Sequence, residues 1–379
     1  MSYPTEPELD LRPLPDLFEA PGGGRCECPT DWPDTARRWL DRIVEVEYGG
    51  LPPAPESVEI EPLCHSRARR WEGQPLLFSY RLQCTGGERP FSMNVRVLAP
   101  DSPAPVPAIM AGDGCWSYCT DELAQSIVAR GCALVIFNRT ETAEDLGTDL
   151  RARSFADGQT RDDWSTLRQG GLYEVYPGRT FGAVAAWAWG YHRCTDLLCR
   201  LPFIDSKRLA VTGHSRGGKT ALLAGATDPR IALVNDNAGG TGGSSVFRYR
   251  GQGGESTRIA DVFPSWFGPG LREYIGREGD LPFDQHALLA AVAPRALLLT
   301  YALDDRWSNP EGMVVSADAA AGVYDYLGRR EALAFHLRPG GHAHGPEDWA
   351  VLLDFIDWQW HARLPARDFN LHPYAHLDG

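Results

Sequence analysis

Residues 208–226 read RLAVTGHSRGGKTALLAGA, an apolar run, a glycine-rich centre and a second apolar run. The first run is typical of a buried strand and the second of the start of a helix. The centre fits G-x-S-x-G, in which a serine stands on a sharp turn between a strand and a helix. Gly213 and Gly217 are small because this turn leaves little room for side chains beside Ser215. The pattern predicts that Ser215 is a nucleophile and that the amide of Arg216 faces the oxyanion.

The same letters fit a second pattern, G-x-x-x-x-G-K-[ST], which runs from Gly213 to Thr220 and includes Lys219. In proteins with that pattern, backbone amides and the lysine bind the phosphates of a nucleotide. Both patterns require a strand, a glycine-rich turn and a helix, so the local sequence does not separate them. A serine hydrolase and a P-loop nucleotide-binding protein are the two alternatives at this point.

Residues further along the chain favour the hydrolase. In α/β hydrolases the acid and the histidine follow later strands, in the chain order serine, acid, histidine. Asp304 and Asp305 follow an apolar run at 296–301, and His342 follows another at 334–337. The P-loop interpretation leaves His342 without a role.

Three further residues bear on the hydrolase interpretation. Asp236 also follows an apolar run and is a rival acid. His344, two residues after His342, is a rival base. His214 adjoins the nucleophile but points the opposite way along the chain, so we expect it to be packed rather than catalytic.

From residue 105 onwards, apolar runs typical of buried strands alternate with helical patterns. This alternation predicts a doubly wound, mostly parallel sheet between two layers of helices, the three-layer α/β-hydrolase fold, with its site at the carboxyl ends of the strands. Residues 56–98 alternate apolar and polar side chains, which predicts antiparallel strands at one edge of the sheet. The predicted parallel strands are 106–110, 132–137, 208–212, 231–234, 296–301 and 334–337, and the predicted helices of this part are 121–129, 181–199 and 349–360.

The length of 379 residues suits one large α/β domain. We predict an N-terminal arm at 1–55 with a helix at 34–46, a single domain at 56–365 and a C-terminal tail at 366–379. Within the domain, 138–177 is a polar, glycine-containing insertion that is too long to be an idle connection.

Composition argues against several classes of partner. The net charge of −13 disfavours nucleic acids and anionic membrane surfaces, and no apolar run is long enough to span a bilayer. Residues 1–17 lack the apolar core of an export signal. The nine cysteines show no zinc-site or disulfide-framework spacing, so we expect reduced thiols, a cytoplasmic protein and no metal. The hydrolase chemistry requires no cofactor.

The centre and several later stretches resemble the glucuronoyl esterase family, carbohydrate esterase family 15, and its bacterial branch. The turn of that family reads G-C-S-R-x-G-K, and residues 213–219 differ from it only at His214. The basic residues after the serine are not general to α/β hydrolases, so the likeness is specific and explains the P-loop match as a coincidence of Lys219. Further matching stretches are AWAWG at 186–190, FPSWF at 263–267, LPFDQH at 281–286, DRWSNP at 305–310 and GGH at 340–342.

The resemblance implies roles for five residues. Ser215 is the nucleophile, and His342 is the general base. Arg216 adds its guanidinium to the oxyanion site, Lys219 holds hydroxyl groups of a sugar acid, and Trp307 packs against the sugar. For Trp307 the alternative is a core aromatic side chain. Other polar candidates for substrate contact, with surface salt links as the alternative, are Arg139, Glu141, Arg179 and Glu255.

Two departures from the fungal pattern matter. In fungal members a disulfide joins the residue before the serine to one after the histidine, and here those positions are His214 and Ala343, which suits a reducing compartment. In fungal members the acid is a glutamate after the next strand beyond the helix that starts at the serine, and residues 235–243 contain no glutamate. Some bacterial members use an acid after the next-to-last long strand. The resulting order of preference for the acid is Asp305, Asp304 and then Asp236.

We therefore predict a serine carboxylic-ester hydrolase that acts through an acyl-enzyme on a glucuronoyl-type or other carbohydrate ester, either a small molecule or an oligosaccharide. Within the same fold, the alternative is a hydrolase of acetyl or other small esters. The alternative of another class is a P-loop protein that uses Gly213 to Thr220. We expect no nucleic-acid or membrane partner, and the sequence does not indicate an oligomeric state.

Overall fold

A mixed sheet of nine strands forms the centre of the molecule. The structure is a computed structural model and describes residues 8–9, 13–116, 119–146, 167–251 and 254–377. Its strands are β1 (Glu8–Leu9), β2 (Ser57–Arg67), β3 (Leu76–Thr85), β4 (Phe91–Ala99), β5 (Val106–Ala111), β6 (Ala133–Phe137), β7 (Ile204–His214), β8 (Leu233–Asn237), β9 (Tyr249–Arg250), β10 (Ala296–Ala302) and β11 (Leu333–Arg338).

The strand order in the central sheet is β11-β10-β8-β7-β5-β6-β4-β3-β2. Neighbours from β11 to β6 pair in parallel, and the pairs from β6 to β2 are antiparallel. This arrangement confirms the predicted α/β-hydrolase fold class, including its antiparallel edge. β1 and β9 form a separate antiparallel pair, which the sequence pattern did not indicate.

Helices cover both faces of the sheet. They are α1 (Trp32–Val46), α2 (Asp121–Ala129), α3 (Gly171–Val175), α4 (Ala183–Leu198), α5 (Arg216–Thr227), α6 (Ile259–Val262), α7 (Gln285–Ala290), α8 (Pro310–Tyr326) and α9 (Pro346–His361). One apolar cluster joins α2 and α9 to one face, and a larger cluster joins α1, α4, α5, α7 and α8 to the other. The two clusters give the three layers expected for this fold.

Segments at both ends of the chain are tied to the main domain. In the predicted arm, Trp39 of α1 is buried and donates through Nε1 to the Leu17 carbonyl at 2.9 Å. In the predicted tail, the Asn370 amide donates to the Phe335 carbonyl at 2.9 Å, and Asn370 Oδ1 accepts from the Phe335 amide at 2.8 Å. Because Phe335 belongs to the edge strand β11, the tail covers backbone groups that would otherwise face solvent.

The predicted insertion is described only at its two ends, because residues 147–166 lie outside the described residues. Those ends pack together through the Leu172 amide, which donates to the Thr142 carbonyl at 2.8 Å. Trp187 of α4 donates through Nε1 to the Ala143 carbonyl at 2.8 Å. Since α4 is apolar on nearly every side and buried, it gives the insertion a rigid base.

The turn between β7 and α5 has the strained geometry that its sequence predicts. Ser215 has φ 58° and ψ −121°, a conformation that L-residues rarely adopt. A Cβ on Gly213 would lie 2.2 Å from the Gly217 carbonyl oxygen, and a Cβ on Gly217 would lie 2.4 Å from the Asp113 carboxylate. Both positions therefore require glycine, and the serine is carried on a bend that admits no larger neighbours.

This packing predicts a large difference between two glycine-to-alanine substitutions. We expect Gly213→Ala to lower the free energy of unfolding by about 1–3 kcal/mol, because the added methyl group overlaps backbone atoms. Gly322, in α8, has open space at its Cβ position, so we expect Gly322→Ala to raise that free energy by about 0.5–1 kcal/mol. Urea denaturation of both variants measures the difference. Equal denaturation midpoints would contradict the tight packing at Gly213.

Candidate active site

The candidate site lies where the parallel strands end. Ser215 follows β7, Asn237 ends β8, Asp305 follows β10, and His342 follows β11. Because the carboxyl ends of parallel strands meet at one edge of the sheet, residues that are far apart in sequence come together there.

Asp305 is the acid that contacts His342. Asp305 Oδ2 lies 2.6 Å from His342 Nδ1 and also accepts a short hydrogen bond from the Ser308 hydroxyl. Burial raises the pKa of Asp305, but the hydrogen bonds from His342 and Ser308 outweigh it, so the net pKa lies below its usual value. The ionised carboxylate fixes the proton of His342 on Nδ1, which leaves Nε2 as the basic nitrogen.

The two rival acids occupy other positions. The carboxylate of Asp304 is exposed and accepts from the Gly340 amide at 3.1 Å, so it stabilises the turn before His342. Asp236 is fully buried, and its carboxylate packs directly against Gly218 and Gly239. Burial raises its pKa to about 6, although Ser244 and Lys219 oppose that shift. The described hydrogen bonds join neither carboxylate to His342, so the geometry supports the first choice made from the sequence.

Two further imidazole rings, those of His214 and His344, lie close to His342. The ring of His214 is 4.4 Å from that of His342 and 5.7 Å from that of His344. His214 Nδ1 is bonded to Asn237 Oδ1 at 2.6 Å, and burial together with the neighbouring His342 lowers the pKa of His214. His214 is packed, as expected, but the expectation that it points away from the site was wrong, because it supports the ring of His342.

His344 does not have the surroundings of a rival base. It is stacked on Trp349 with ring centroids 4.9 Å apart, and burial lowers its pKa to about 4. Since His342 is the histidine in contact with an acid and is partly exposed, the geometry favours His342 over His344.

Arg338 fixes the loop that carries His342, a role that the sequence did not indicate. Its Nε donates to Asp348 Oδ1 at 2.8 Å, and its Nη2 donates to the Ala343 carbonyl at 2.9 Å. Both charged groups are buried. The available signal was an arginine directly after the last predicted strand, at the start of the turn that contains Gly340 and Gly341.

The first turn of α5 lies next to Ser215, where the sequence predicts the oxyanion site. The Ser215 amide donates to the Asn237 carbonyl at 2.8 Å, which fixes the turn to the neighbouring strand. Arg216 begins α5, so its amide lies at the positive end of the helix. Its guanidinium is paired with Asp145 at 2.8 Å and lies 5.3 Å from the ring of Trp266.

Lys219 and Glu255 are paired with each other. Lys219 Nζ is buried and donates to the Gly239 carbonyl at 2.5 Å, to the Thr241 carbonyl at 2.6 Å and to Glu255 Oε2 at 2.8 Å. These contacts use the three protons of the ammonium group, so Lys219 fixes the loop after β8. Glu255 therefore forms a salt link, but a buried one rather than the surface link expected as the alternative, and substrate contact by either residue stays a prediction.

The remaining candidates divide between the surface and the core. Trp307 is half-buried and packs against the core cluster, so it has an accessible part for a sugar as well as a core contact. Glu141 accepts from the Asn94 amide at 3.1 Å, whereas Arg179 is exposed. Arg139 is fully buried in an ion-pair chain rather than in a surface salt link.

Cysteine, histidine and acidic side chains are the groups that could support metal or redox chemistry. The nine cysteines are all unpaired. Among the described residues, no group of three or more His, Cys, Asp or Glu side chains is arranged to hold a metal ion. None of the helices in that part of the chain is long and apolar enough to cross a membrane.

The chain is similar to known carbohydrate esterases. A family model described as "Glucuronyl esterase, fungi" matches residues 82–328. The 4-O-methyl-glucuronoyl methylesterase of Schizophyllum commune is 30% identical over 353 residues, which cover 90% of this chain and 79% of that protein. Carbohydrate esterase MZ0003, from an unknown prokaryotic organism, is 39% identical over 192 residues, which cover 47% of this chain and 44% of that protein.

The likeness extends to solved structures. A carbohydrate esterase family 15 glucuronoyl esterase from Caldicellulosiruptor kristjansonii is 30% identical, with a TM-score of 0.79, 97% of this chain covered and 95% of that chain. Some of the relatives are considerably longer than the matched region. The match covers 44% of the length of the prokaryotic esterase and 63% of the length of the Podospora anserina methylesterase. These similarities favour the hydrolase and not the P-loop interpretation of Gly213 to Thr220.

The geometry predicts that two neighbouring aspartates differ sharply in importance. We expect Asp305→Asn to lower kcat for ester hydrolysis by roughly 10³- to 10⁴-fold, because an amide no longer holds the proton of His342 on Nδ1. Asp304→Asn keeps an oxygen that accepts from the Gly340 amide, so we expect its kcat to stay within about threefold of the wild type. Steady-state kinetics on one ester compare the variants. A larger loss for Asp304→Asn would assign the acid differently.

Proposed function

The chain belongs to the glucuronoyl esterase family, and on that premise we propose that it is a serine hydrolase that cleaves esters of uronic acids. The observation that carries the proposal is the 2.6 Å contact between Asp305 and His342, at the sheet edge where Ser215 stands on its strained turn. The similarity covers nearly the whole chain, and the 30% identical structure is itself a glucuronoyl esterase.

In the proposed reaction, His342 takes the proton of Ser215 through Nε2 while Asp305 holds the proton on Nδ1. The serine oxygen attacks the ester carbonyl and forms a tetrahedral intermediate. The amide and the guanidinium of Arg216 stabilise its oxyanion, and removal of one such donor typically costs about 3–4 kcal/mol. His342 then gives its proton to the departing alcohol, and water hydrolyses the acyl-enzyme by the same route in reverse.

The surroundings of His342 suit this change of charge. The imidazolium that forms is stabilised by the ionised Asp305. The adjacent ring of His214 is mostly buried and has a lowered pKa, so it remains neutral at neutral pH and adds no like charge. His214 therefore supports the base sterically, as a neutral ring.

The proposal includes a reducing compartment. It is supported by nine unpaired cysteines, of which Cys28, Cys64 and Cys199 are exposed. His214 and Ala343 occupy the positions at which the resemblance implies a disulfide in fungal members. In a cytoplasmic setting the substrate is a soluble uronate ester, a small molecule or a short oligosaccharide, rather than a polymer outside the cell.

A panel of esters tests the proposed function. We expect the kcat/KM for methyl glucuronate to exceed those for 4-nitrophenyl acetate and acetylated xylo-oligosaccharides by at least about tenfold, and Ser215→Ala to reduce hydrolysis at least about a thousandfold. Circular dichroism verifies that the variant is folded. A preference for acetyl groups would overturn the uronate substrate, and near-wild-type turnover by the folded Ser215→Ala variant would overturn the mechanism.

A further inference from the structure

Four charged side chains form a continuous chain around the nucleophile. It begins at the His214 amide, which donates to Asp113 Oδ2 at 2.9 Å, and Asp113 Oδ1 accepts from Arg139 Nε at 2.9 Å. Arg139 Nη1 donates to Asp145 Oδ2 at 3.1 Å, and the same oxygen pairs with Arg216 Nε at 2.8 Å. The chain thus starts on the residue before Ser215 and ends on the residue after it.

We propose that Asp145 is a positioning residue that sets the orientation of the Arg216 guanidinium at the oxyanion site, with Arg139 and Asp113 holding Asp145 in place. This inference rests on the proposed function of Ser215 and Arg216. Asp145 would act on the reaction only through Arg216, so we do not expect Asp145 itself to contact the substrate.

Arg216 needs an external partner to act as a fixed donor. Its side chain has four rotatable bonds and is 25% exposed, so an unpaired guanidinium would sample many orientations. The pair with Asp145 engages Nε, on one edge of the planar group, and the ring of Trp266 lies 5.3 Å from its centre. An ion pair through Nε fixes the plane in which the terminal nitrogens lie.

Asp145 is in turn held by rigid parts of the fold. Its side chain is 4% exposed and lies between the guanidinium groups of Arg139 and Arg216. Arg139 is 1% exposed and stacks over the ring of Trp187 at 4.1 Å. Trp187 also binds the Ala143 carbonyl, two residues before Asp145, so the segment that carries this aspartate is tied to the buried helix α4.

Asp113 connects these charged side chains to the turn that carries Ser215. Its carboxylate lies against Gly217, where a Cβ would approach to 2.4 Å, and accepts from the amide of His214. The turn at Ser215 and the guanidinium of Arg216 are therefore fixed to the same group of charges.

The energetics also favour a positioning role. Buried ion pairs are costly to desolvate and are weak contributors to stability compared with apolar groups of the same size. The two aspartates and two arginines of this ion-pair series have no net charge together, so the fold tolerates them in its interior. Apolar side chains in their place would stabilise the segment at least as well. The charged side chains can fix the orientation of the Arg216 guanidinium, whereas apolar side chains in their place could not.

Asp145→Asn tests the proposal, with methyl glucuronate or the best ester of the panel as substrate. We expect kcat to fall roughly 10- to 100-fold with KM changed less than about threefold, because a displaced donor weakens the transition state more than the bound substrate. In an Arg216→Gln background the same substitution should change kcat less than about twofold, since there is no guanidinium left to orient. An equal loss of kcat in both backgrounds, or no loss in either, would overturn the proposal.

A matched control lies at the other end of the same helix. Asp228 follows α5, its side chain is 6% exposed, and it pairs with Arg230 at 2.6 Å. We expect Asp228→Asn to leave kcat unchanged even if it lowers the melting temperature. A comparable fall in kcat for Asp228→Asn would show that loss of a buried charge, rather than of orientation, explains the effect, and would overturn the proposal.

A second variant covers the case in which Asp145→Asn does not fold. Asp145→Glu keeps the negative charge but moves it by one methylene group, so we expect a folded protein with reduced kcat and little change in KM. Wild-type kcat in this variant would contradict the need for a fixed direction. Absence of hydrolysis by the wild-type protein would instead contradict the proposed function, so the two failures are distinguishable.

Discussion

The left-handed backbone of Ser215 is the constraint on which the site depends. A residue with φ 58° persists only where its surroundings hold it, and here hydrogen bonds do so from three sides. The amide of Ser215 binds the Asn237 carbonyl, the amide of His214 binds Asp113, and the Ser215 carbonyl accepts from the Lys219 amide. The bend excludes larger residues, starts α5 beside the serine and so places the Arg216 amide at the helix start, where the proposed mechanism puts the oxyanion.

The loops after β10 and β11 complete the site without a covalent link. His342 is held by Asp305 at Nδ1, by the ring of His214 at its face and, through the backbone of its loop, by Arg338. These contacts involve His214 and the Ala343 carbonyl, the two positions between which the resemblance implies a disulfide in fungal members. Such contacts do not depend on the redox state, which fits a protein whose nine cysteines are all unpaired.

Local patterns were sufficient to predict the strand, turn and helix around Ser215 and the parallel strands, because each rests on residues close in sequence. The preference for Asp305 over the other two acids came from the resemblance to bacterial family members, and the contact with His342 supports it. The contacts of Lys219 and the place of His214 depend on loops that are distant in the chain, and no local signal specifies them. Arg139 and Asp145 belong to an insertion that composition described only as polar, although both are buried in the fold. The long helix α8 was overlooked despite its cap at Asn309, whose side chain accepts from the Gly312 amide, because its alanine-rich sequence has little amphipathic character.

The nucleophilic role of Ser215 is tested most directly by the reaction of the intact protein with a fluorophosphonate probe, followed by peptide mapping of the adduct by mass spectrometry. The reagent labels a serine only when that serine is activated as a nucleophile. The proposed role of Ser215 predicts one phosphonyl group per chain, on the peptide that contains this serine. Absence of labelling in folded protein, or labelling at a different serine, would contradict it.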